Sequence, residues 1–190
     1  NHVIDDMLGR VDMILDGGDA SFGLESTIVK IEDDKTVTLL RPGKITYEML
    51  SSVVDNVNIA NAVTELLKDG EKAISPGMKY KHYAPKGELT IVAGEHQKVL
   101  KKINELSKAA VLRGEKVGII GTDETIEQYV GSSIKSVGLR NDEVSIAKGL
   151  YRILREFDDE NVTCIYSESF DAGGMGQAIM NRLLKAAGHQ

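Results

Sequence analysis

Apolar positions in the second half of the chain follow two spacings. Residues 95–113 and 142–157 repeat apolar side chains at helical spacing, which places them on one face of a helix. Short apolar runs between these segments predict strands. After position 87 we predict strands at 89–92, 117–120, 134–139 and 162–166, and helices at 95–113, 124–130, 142–157 and 177–187. This alternation predicts a Rossmann-like, doubly wound, mainly parallel α/β sheet covered on both faces.

The first 70 residues give a less complete pattern. We predict strands at 13–15, 27–31 and 36–40 and a helix at 46–53 that Thr46 caps. Three short strands with one or two helices form a poor core, so this part reads as the end of a larger sheet. We therefore expect an open sheet edge and an uncovered apolar face, with pairing to a partner chain such as a homodimer, strand exchange or a disordered remainder as the alternatives.

A segment of different composition separates these parts. Residues 76–86 contain three lysines and no acidic residue, and prolines disfavour helix at both ends. We predict a linker at 71–87 between domains at 1–70 and 88–190, with few contacts between the two domains. The alternating lysine, tyrosine and histidine side chains could lie across a nucleotide. The alternative is a basic linker packed against an acidic surface.

Composition narrows the classes of function. The 190 residues are 42% hydrophobic and 27% charged, as in an ordinary soluble globular protein. The net charge of −6 argues against a nucleic-acid binder that works by overall charge. No apolar run reaches the roughly 18 residues of a membrane span, and no signal-peptide pattern is present, so we predict a cytoplasmic protein. Cys164 is the sole cysteine, and its apolar neighbours predict a buried, inert thiol. The four histidines lack the spacing of metal ligands, so we predict no metal site.

The glycine cluster at 173–176 could carry a phosphate, because it lies between a predicted strand and a predicted helix. Ile179 stands where a dinucleotide-binding loop has its third glycine. A tight turn into a packed helix is therefore the favoured interpretation, and a dinucleotide oxidoreductase is disfavoured.

Two polar positions stand at the ends of predicted strands. Ser26 precedes an apolar strand, where a small hydroxyl is a good donor for a carboxylate or phosphate. Arg41 ends the next strand before a Pro-Gly turn and could hold an anion bidentately. Taken alone, each position is also compatible with an ordinary turn.

Five motifs resemble, in the same order, the long two-domain form of the YrdC-like threonylcarbamoyl-AMP synthases. They are DMILDGG (12–18), GLESTIVKI (23–31), LLRPGKIT (39–46), SPGMKYKHYAP (75–85) and GQAIMNRLLKAA (176–187). The resemblance covers essentially the whole chain. It implies a nucleotidyltransferase that joins L-threonine, bicarbonate and ATP, with Mg²⁺, into threonylcarbamoyl-AMP and pyrophosphate for tRNA modification.

The resemblance also implies roles for individual residues. Ser26 would contact threonine and Arg41 would contact ATP, while Tyr80, His82 and Tyr83 would belong to a linker that closes over the nucleotide. The family's K-x-R and S-x-N motifs precede the position that matches the first residue here, and this first residue is not a methionine. We therefore expect the C-terminal part of such an enzyme, inactive by itself. The alternative is a Rossmann-like regulatory or binding module that senses a small molecule.

Overall fold

Two separate sheets organise the chain. The computed structural model describes residues 2–18, 20–64, 84–171 and 173–188. The first sheet has the order β1-β2-β3, and the second has the order β4-β7-β5-β6. The predicted separation into two sheets is therefore found, while most of the predicted linker lies outside the described residues.

The first sheet is formed by short elements. They are α1 (His2–Met7), β1 (Ile28–Asp33), β2 (Thr36–Arg41), α2 (Tyr47–Ser51), β3 (Asn56–Ile59) and α3 (Asn61–Thr64). Strands β1 and β2 form an antiparallel hairpin, and β3 runs parallel to β2. The hairpin turns where the Asp33 carboxylate accepts a hydrogen bond from the Lys35 amide at 2.8 Å. Thr46 caps α2, as predicted, by accepting from the Met49 amide.

The first part differs from the prediction at both ends. Residues 13–15 are not a strand, and Leu15 is 86% exposed, because no described strand pairs with this apolar run. Strand β3 was not predicted, since its four residues contain only two apolar side chains, which alternate with asparagines.

The second sheet is wholly parallel and confirms the predicted fold class. Its strands are β4 (Glu88–Val92), β5 (Val117–Gly121), β6 (Ser133–Ser136) and β7 (Cys164–Glu168). Its helices are α4 (His96–Leu112), α5 (Glu143–Asp159) and α6 (Gly176–Ala187). The predicted helix at 124–130 is only a 3₁₀ turn at Ile126–Gln128, because Thr125 makes local hydrogen bonds to Thr122.

Two apolar clusters cover the faces of this sheet. Helix α4 buries Val99, Ile103 and Ala110 on one face with β5. Helices α5 and α6 bury the other cluster, which includes Leu150 and Phe157. The helical periodicity of the sequence thus marks the residues that form the core.

The two parts touch through the segment before β1. Leu24, which precedes β1, belongs to the core cluster of α5 and α6. A Cβ atom on Gly23 would lie 2.6 Å from the Ala147 carbonyl oxygen of α5, so the backbones are in direct contact. The segment before β1 thus packs on a helix of the second sheet. That the contacts between the two parts are few stays a prediction.

Large apolar side chains remain exposed in the first part, as expected. Val3, Leu8, Met13, Leu15, Ile31 and Val53 are each more than half exposed. Strand β1 also forms one edge of its sheet. In the described part of the chain, no helix is long and apolar enough to cross a membrane.

Candidate functional site

Ser26 and Arg41 meet at one end of the first sheet. The antiparallel register pairs Ile28, at the start of β1, with Arg41, at the end of β2. Arg41 Nε donates to the Ser26 carbonyl oxygen at 3.0 Å, and Nη2 donates to Ser26 Oγ at 3.3 Å. The two candidate residues, which the sequence marks independently, therefore lie in contact and place a hydroxyl beside a guanidinium.

The turn that follows Arg41 is bound to the segment that contains Ser26. Thr27 Oγ1 donates to the Ile45 carbonyl oxygen at 2.7 Å and accepts from the Ile45 amide at 3.0 Å. A Cβ atom on Gly43 would lie 2.5 Å from the Thr27 nitrogen and 2.6 Å from the Glu25 carbonyl oxygen. Only glycine allows this close approach, which explains the Pro-Gly turn.

Glu25 lies beside Ser26 and faces the second part of the chain. Its Oε2 accepts from Arg182 Nε at 2.6 Å and from the Tyr151 hydroxyl at 3.1 Å. Burial raises the pKa of the Glu25 carboxyl, but the charge and hydrogen bond of Arg182, together with the Tyr151 hydroxyl, outweigh burial and lower it overall. Glu25 is therefore an anion held by α5 and α6.

Arg182 of α6 is buried and has three acceptors. Besides Glu25, its Nη1 donates to Asn181 Oδ1 at 2.5 Å and its Nη2 donates to the Pro42 carbonyl oxygen at 3.4 Å. Asn181 in turn donates to the Val63 carbonyl oxygen at 2.5 Å. Sequence reasoning missed these residues, although the polar residues at 181, 182 and 185 in an otherwise apolar helix were a signal that it could have used.

Lys185 of α6 is a third cation near Arg41 and Arg182. Lys185 is buried, and this burial, with the Arg182 charge, lowers its pKa to about 8 despite the opposing charge of Glu25. The Arg41 charge makes a smaller contribution to the same lowering of the Lys185 pKa. Arg41, Arg182, Lys185 and the Glu25 carboxylate therefore lie within electrostatic range of one another.

The glycine loop at 173–176 is a turn, as the sequence favoured. The Met175 and Gly176 amides donate to the Glu143 carboxylate, each at 3.2 Å. A carboxylate of the protein therefore occupies the place where a phosphate would sit in a nucleotide-binding loop. Gly174 adopts φ 54°, and a Cβ atom on Gly176 would overlap the Asp171 carbonyl oxygen, so the glycines serve the turn.

A separate cavity of about 330 Å³ opens at the carboxyl ends of β4 and β7. The chain leaves β4 toward α4 on one face and leaves β7 toward α6 on the other, which is the topological switch point where α/β sheets bind ligands. The lining residues include Gly94, His96, Arg140, Asn141, Glu168 and Ser169. Glu168 is buried and is held by Arg140, Thr125 and the Tyr129 hydroxyl.

Other predicted features fall elsewhere. Tyr80, His82 and Tyr83 lie outside the described residues. Cys164 is half-buried in β7 and is not disulfide-bonded. Within 2–18, 20–64, 84–171 and 173–188, no group of three or more His, Cys, Asp or Glu residues could hold a metal ion.

Comparisons with known proteins agree on one family. Residues 45–188 match the family described as threonylcarbamoyl-AMP synthase, C-terminal domain. The chain is 42% identical over 187 residues to the threonylcarbamoyl-AMP synthase of Bacillus subtilis, covering 98% of this chain and 52% of that protein. It is 37% identical to the synthase of the same name from Pyrococcus abyssi, covering 100% of this chain and 53% of the relative.

A solved structure supports the same relationship. The crystal structure of P. abyssi Sua5 complexed with L-threonine superposes with a TM-score of 0.85 at 36% identity, over 99% of this chain and 53% of that one. The chain thus spans about half the length of the relatives that it matches. Because the family match covers most of the chain, the chain belongs to the threonylcarbamoyl-AMP synthase C-terminal domain family.

Proposed function

We propose that this chain forms part of a threonylcarbamoyl-AMP synthase, namely the end of its synthase domain, the linker and the accessory α/β domain. The observation that carries this proposal is the contact between Ser26 and Arg41. A hydroxyl can donate to an amino-acid carboxylate, and a guanidinium can donate to the phosphates of a nucleotide. The likeness to a structure solved with L-threonine supports threonine as a substrate.

The proposed reaction joins L-threonine, bicarbonate and ATP. The threonine amine adds to bicarbonate with loss of water, which gives a carbamate. A carbamate oxygen then attacks the α-phosphorus, the bond to the bridging oxygen breaks, and pyrophosphate leaves with the bonding electrons. Negative charge accumulates on the leaving group, and a preorganised guanidinium such as that of Arg41 stabilises this charge.

Each residue has a role in this proposal. Ser26 donates to the threonine carboxylate, and Arg41 binds the ATP phosphates. Tyr80, His82 and Tyr83 remain predictions for the nucleotide, since they lie outside the described residues. Mg²⁺ was expected with ATP, but no cluster of ligands is found among the described residues, so we assign no magnesium ligand. The product would serve tRNA modification.

Pyrophosphate release tests the proposal. The protein expressed from its complete coding sequence should release pyrophosphate only when ATP, L-threonine and bicarbonate are all present. Arg41→Gln should weaken ATP binding roughly tenfold to a hundredfold, because it removes a charge-assisted contact. Ser26→Ala should act mainly on the KM for threonine. Arg152→Gln is the matched control, since Arg152 is 59% exposed and pairs with Glu156.

Two outcomes would contradict the proposal. The first is a wild-type protein that releases no pyrophosphate with all three substrates. The second is pyrophosphate release by the 190-residue chain alone at a rate near that of the complete protein, which would show that the active site needs no residues outside this chain.

The second candidate function is small-molecule binding by the accessory sheet. The cavity at the carboxyl ends of β4 and β7 favours it, because Arg140, Asn141 and Ser169 line it with polar side chains. Calorimetric titration of the 190-residue chain with L-threonine, ATP and pyrophosphate in turn tests it. Binding that Arg140→Gln abolishes and that Ser26→Ala leaves unchanged would place the ligand in this cavity. Binding with the opposite dependence would place it at the Ser26–Arg41 pair.

A further inference from the structure

One guanidinium of the accessory domain touches both segments that carry the proposed substrate contacts. Arg182 binds the Glu25 carboxylate and the Pro42 carbonyl oxygen. Glu25 directly precedes Ser26, and Pro42 directly follows Arg41. Arg182 therefore fixes the chain one residue away from each proposed contact, although 157 positions separate it from Glu25.

The segments that contain Glu25 and Pro42 are loops, whereas Arg182 lies on a packed helix. Glu25 and Pro42 lie in irregular backbone outside β1 and β2. Loops of this kind take their geometry from the rigid scaffold that they contact. Helix α6 is such a scaffold, since Ile179 and Leu183 are fully buried in the core of the second sheet.

The chemistry of the contact explains the choice of arginine. The planar fork of a guanidinium reaches three acceptors in fixed directions, whereas a lysine presents one compact charge. Arg182 is 3% exposed, and the Tyr151 hydroxyl supplies a second donor to Glu25 from α5. Removing one partner would leave the other as an uncompensated buried charge, which is strongly unfavourable.

We infer that Arg182 is a positioning residue for the proposed substrate site, so that the accessory domain sets the affinity of the synthase domain for its substrates. Arg182 acts through Glu25 and Pro42 and need not touch the substrates. This inference rests on the proposed function, which supplies threonine and ATP as the ligands whose binding would change.

Steady-state kinetics of the complete protein test the inference. Arg182→Lys keeps the charge but loses the fork, and it should raise the KM for threonine and the KM for ATP together by roughly tenfold. Tyr151→Phe removes one donor to Glu25 and should shift both KM values in the same direction by less. Arg152→Lys, at an exposed position of α5, is the matched control. If Arg182 only stabilised the fold, the active fraction would fall while both KM values stayed unchanged, and that result would overturn the inference.

Hydrogen exchange of the same variants separates this inference from the proposed function. The Ile45 amide, which donates to Thr27 Oγ1, reports whether the two segments stay together. Arg182→Lys should accelerate exchange at Ile45 and leave the central strand β5 unchanged. Unchanged exchange at Ile45 would overturn the positioning role even if the enzyme is active. A wild-type protein that releases no pyrophosphate would contradict the proposed function. Exchange at the Ile45 amide would still show whether Arg182 holds the two segments together. Should Arg182→Lys unfold, Tyr151→Phe carries both measurements.

Discussion

Stability should depend on pH through the buried Lys185. Its pKa falls from the ordinary 10.5 to about 8, first because of burial, then because of Arg182, with Arg41 adding to the effect and Glu25 opposing it. Between these two values the unfolded chain holds a proton that the folded chain has released. The free energy of unfolding therefore rises with pH across the window from 8 to 10.5.

The size of the effect follows from the pKa difference. The folded value lies lower by about 2.5, which is 10.5 minus 8, and one pKa unit corresponds to about 1.4 kcal/mol, so the ceiling is about 3.5 kcal/mol. Lys185→Met retains the length of the side chain and removes the titration. The free energy of unfolding of the wild type, relative to that of the variant, should thus rise by roughly 2.5 kcal/mol between pH 7 and pH 10.

Urea unfolding of both proteins, followed by circular dichroism at pH 7, 8, 9 and 10, measures this difference. Other groups that titrate in both proteins cancel when the two free energies are subtracted. Lys98→Met, at an 82% exposed position of α4, is the control for removing a lysine, and its difference should change much less with pH. A wild-type advantage that stays flat or falls as pH rises would refute the reasoning.

Three further predictions concern the turn of α6 and the Glu25 contact. Gly176→Ala should cost more than about 2 kcal/mol in urea unfolding, because its Cβ atom overlaps the Asp171 carbonyl oxygen, whereas Gly173→Ala, which meets nothing within 4 Å, should be nearly neutral. Tyr151→Phe should cost about 1 kcal/mol at neutral pH by the same measurement. The Glu25→Gln variant should lose less stability than the wild type on acidification below pH 4.5, because the Glu25 pKa is lowered in the folded state.

The second sheet could be predicted from the sequence because its elements carry local signals. The helices that become α4 and α5 repeat apolar residues on one face, and Asp142 and Gly114 mark a start and an end. Strand ends were less well predicted, since the strand expected at 134–139 ends at Ser136 before the turn at Gly138. Local patterns fix which element forms, while its boundary depends on tertiary hydrogen bonds.

The candidate site could be predicted only in part. Ser26 and Arg41 stood at strand ends in recognisable motifs, and the register of a single hairpin was enough to bring them together. Arg182 and Glu25 are contacts between distant segments, and the sequence contains no local pattern that names one as the partner of the other. The cavity at the second sheet likewise arises from loops that only the strand order assembles.

Helix α6 connects the two candidate functions physically. Its first turn follows the loop from β7, whose end lines the cavity, and Glu143 holds that turn through the Met175 and Gly176 amides. Arg182 lies on the same helix and contacts Glu25. The helix would have to adopt two positions for a ligand in the cavity to influence the Ser26 segment. The influence cannot exceed the difference in the ligand's affinity for those two positions. If the influence exists, a ligand at the Ser26–Arg41 pair must change the affinity of the cavity's ligand by the same factor, because binding linkage is reciprocal.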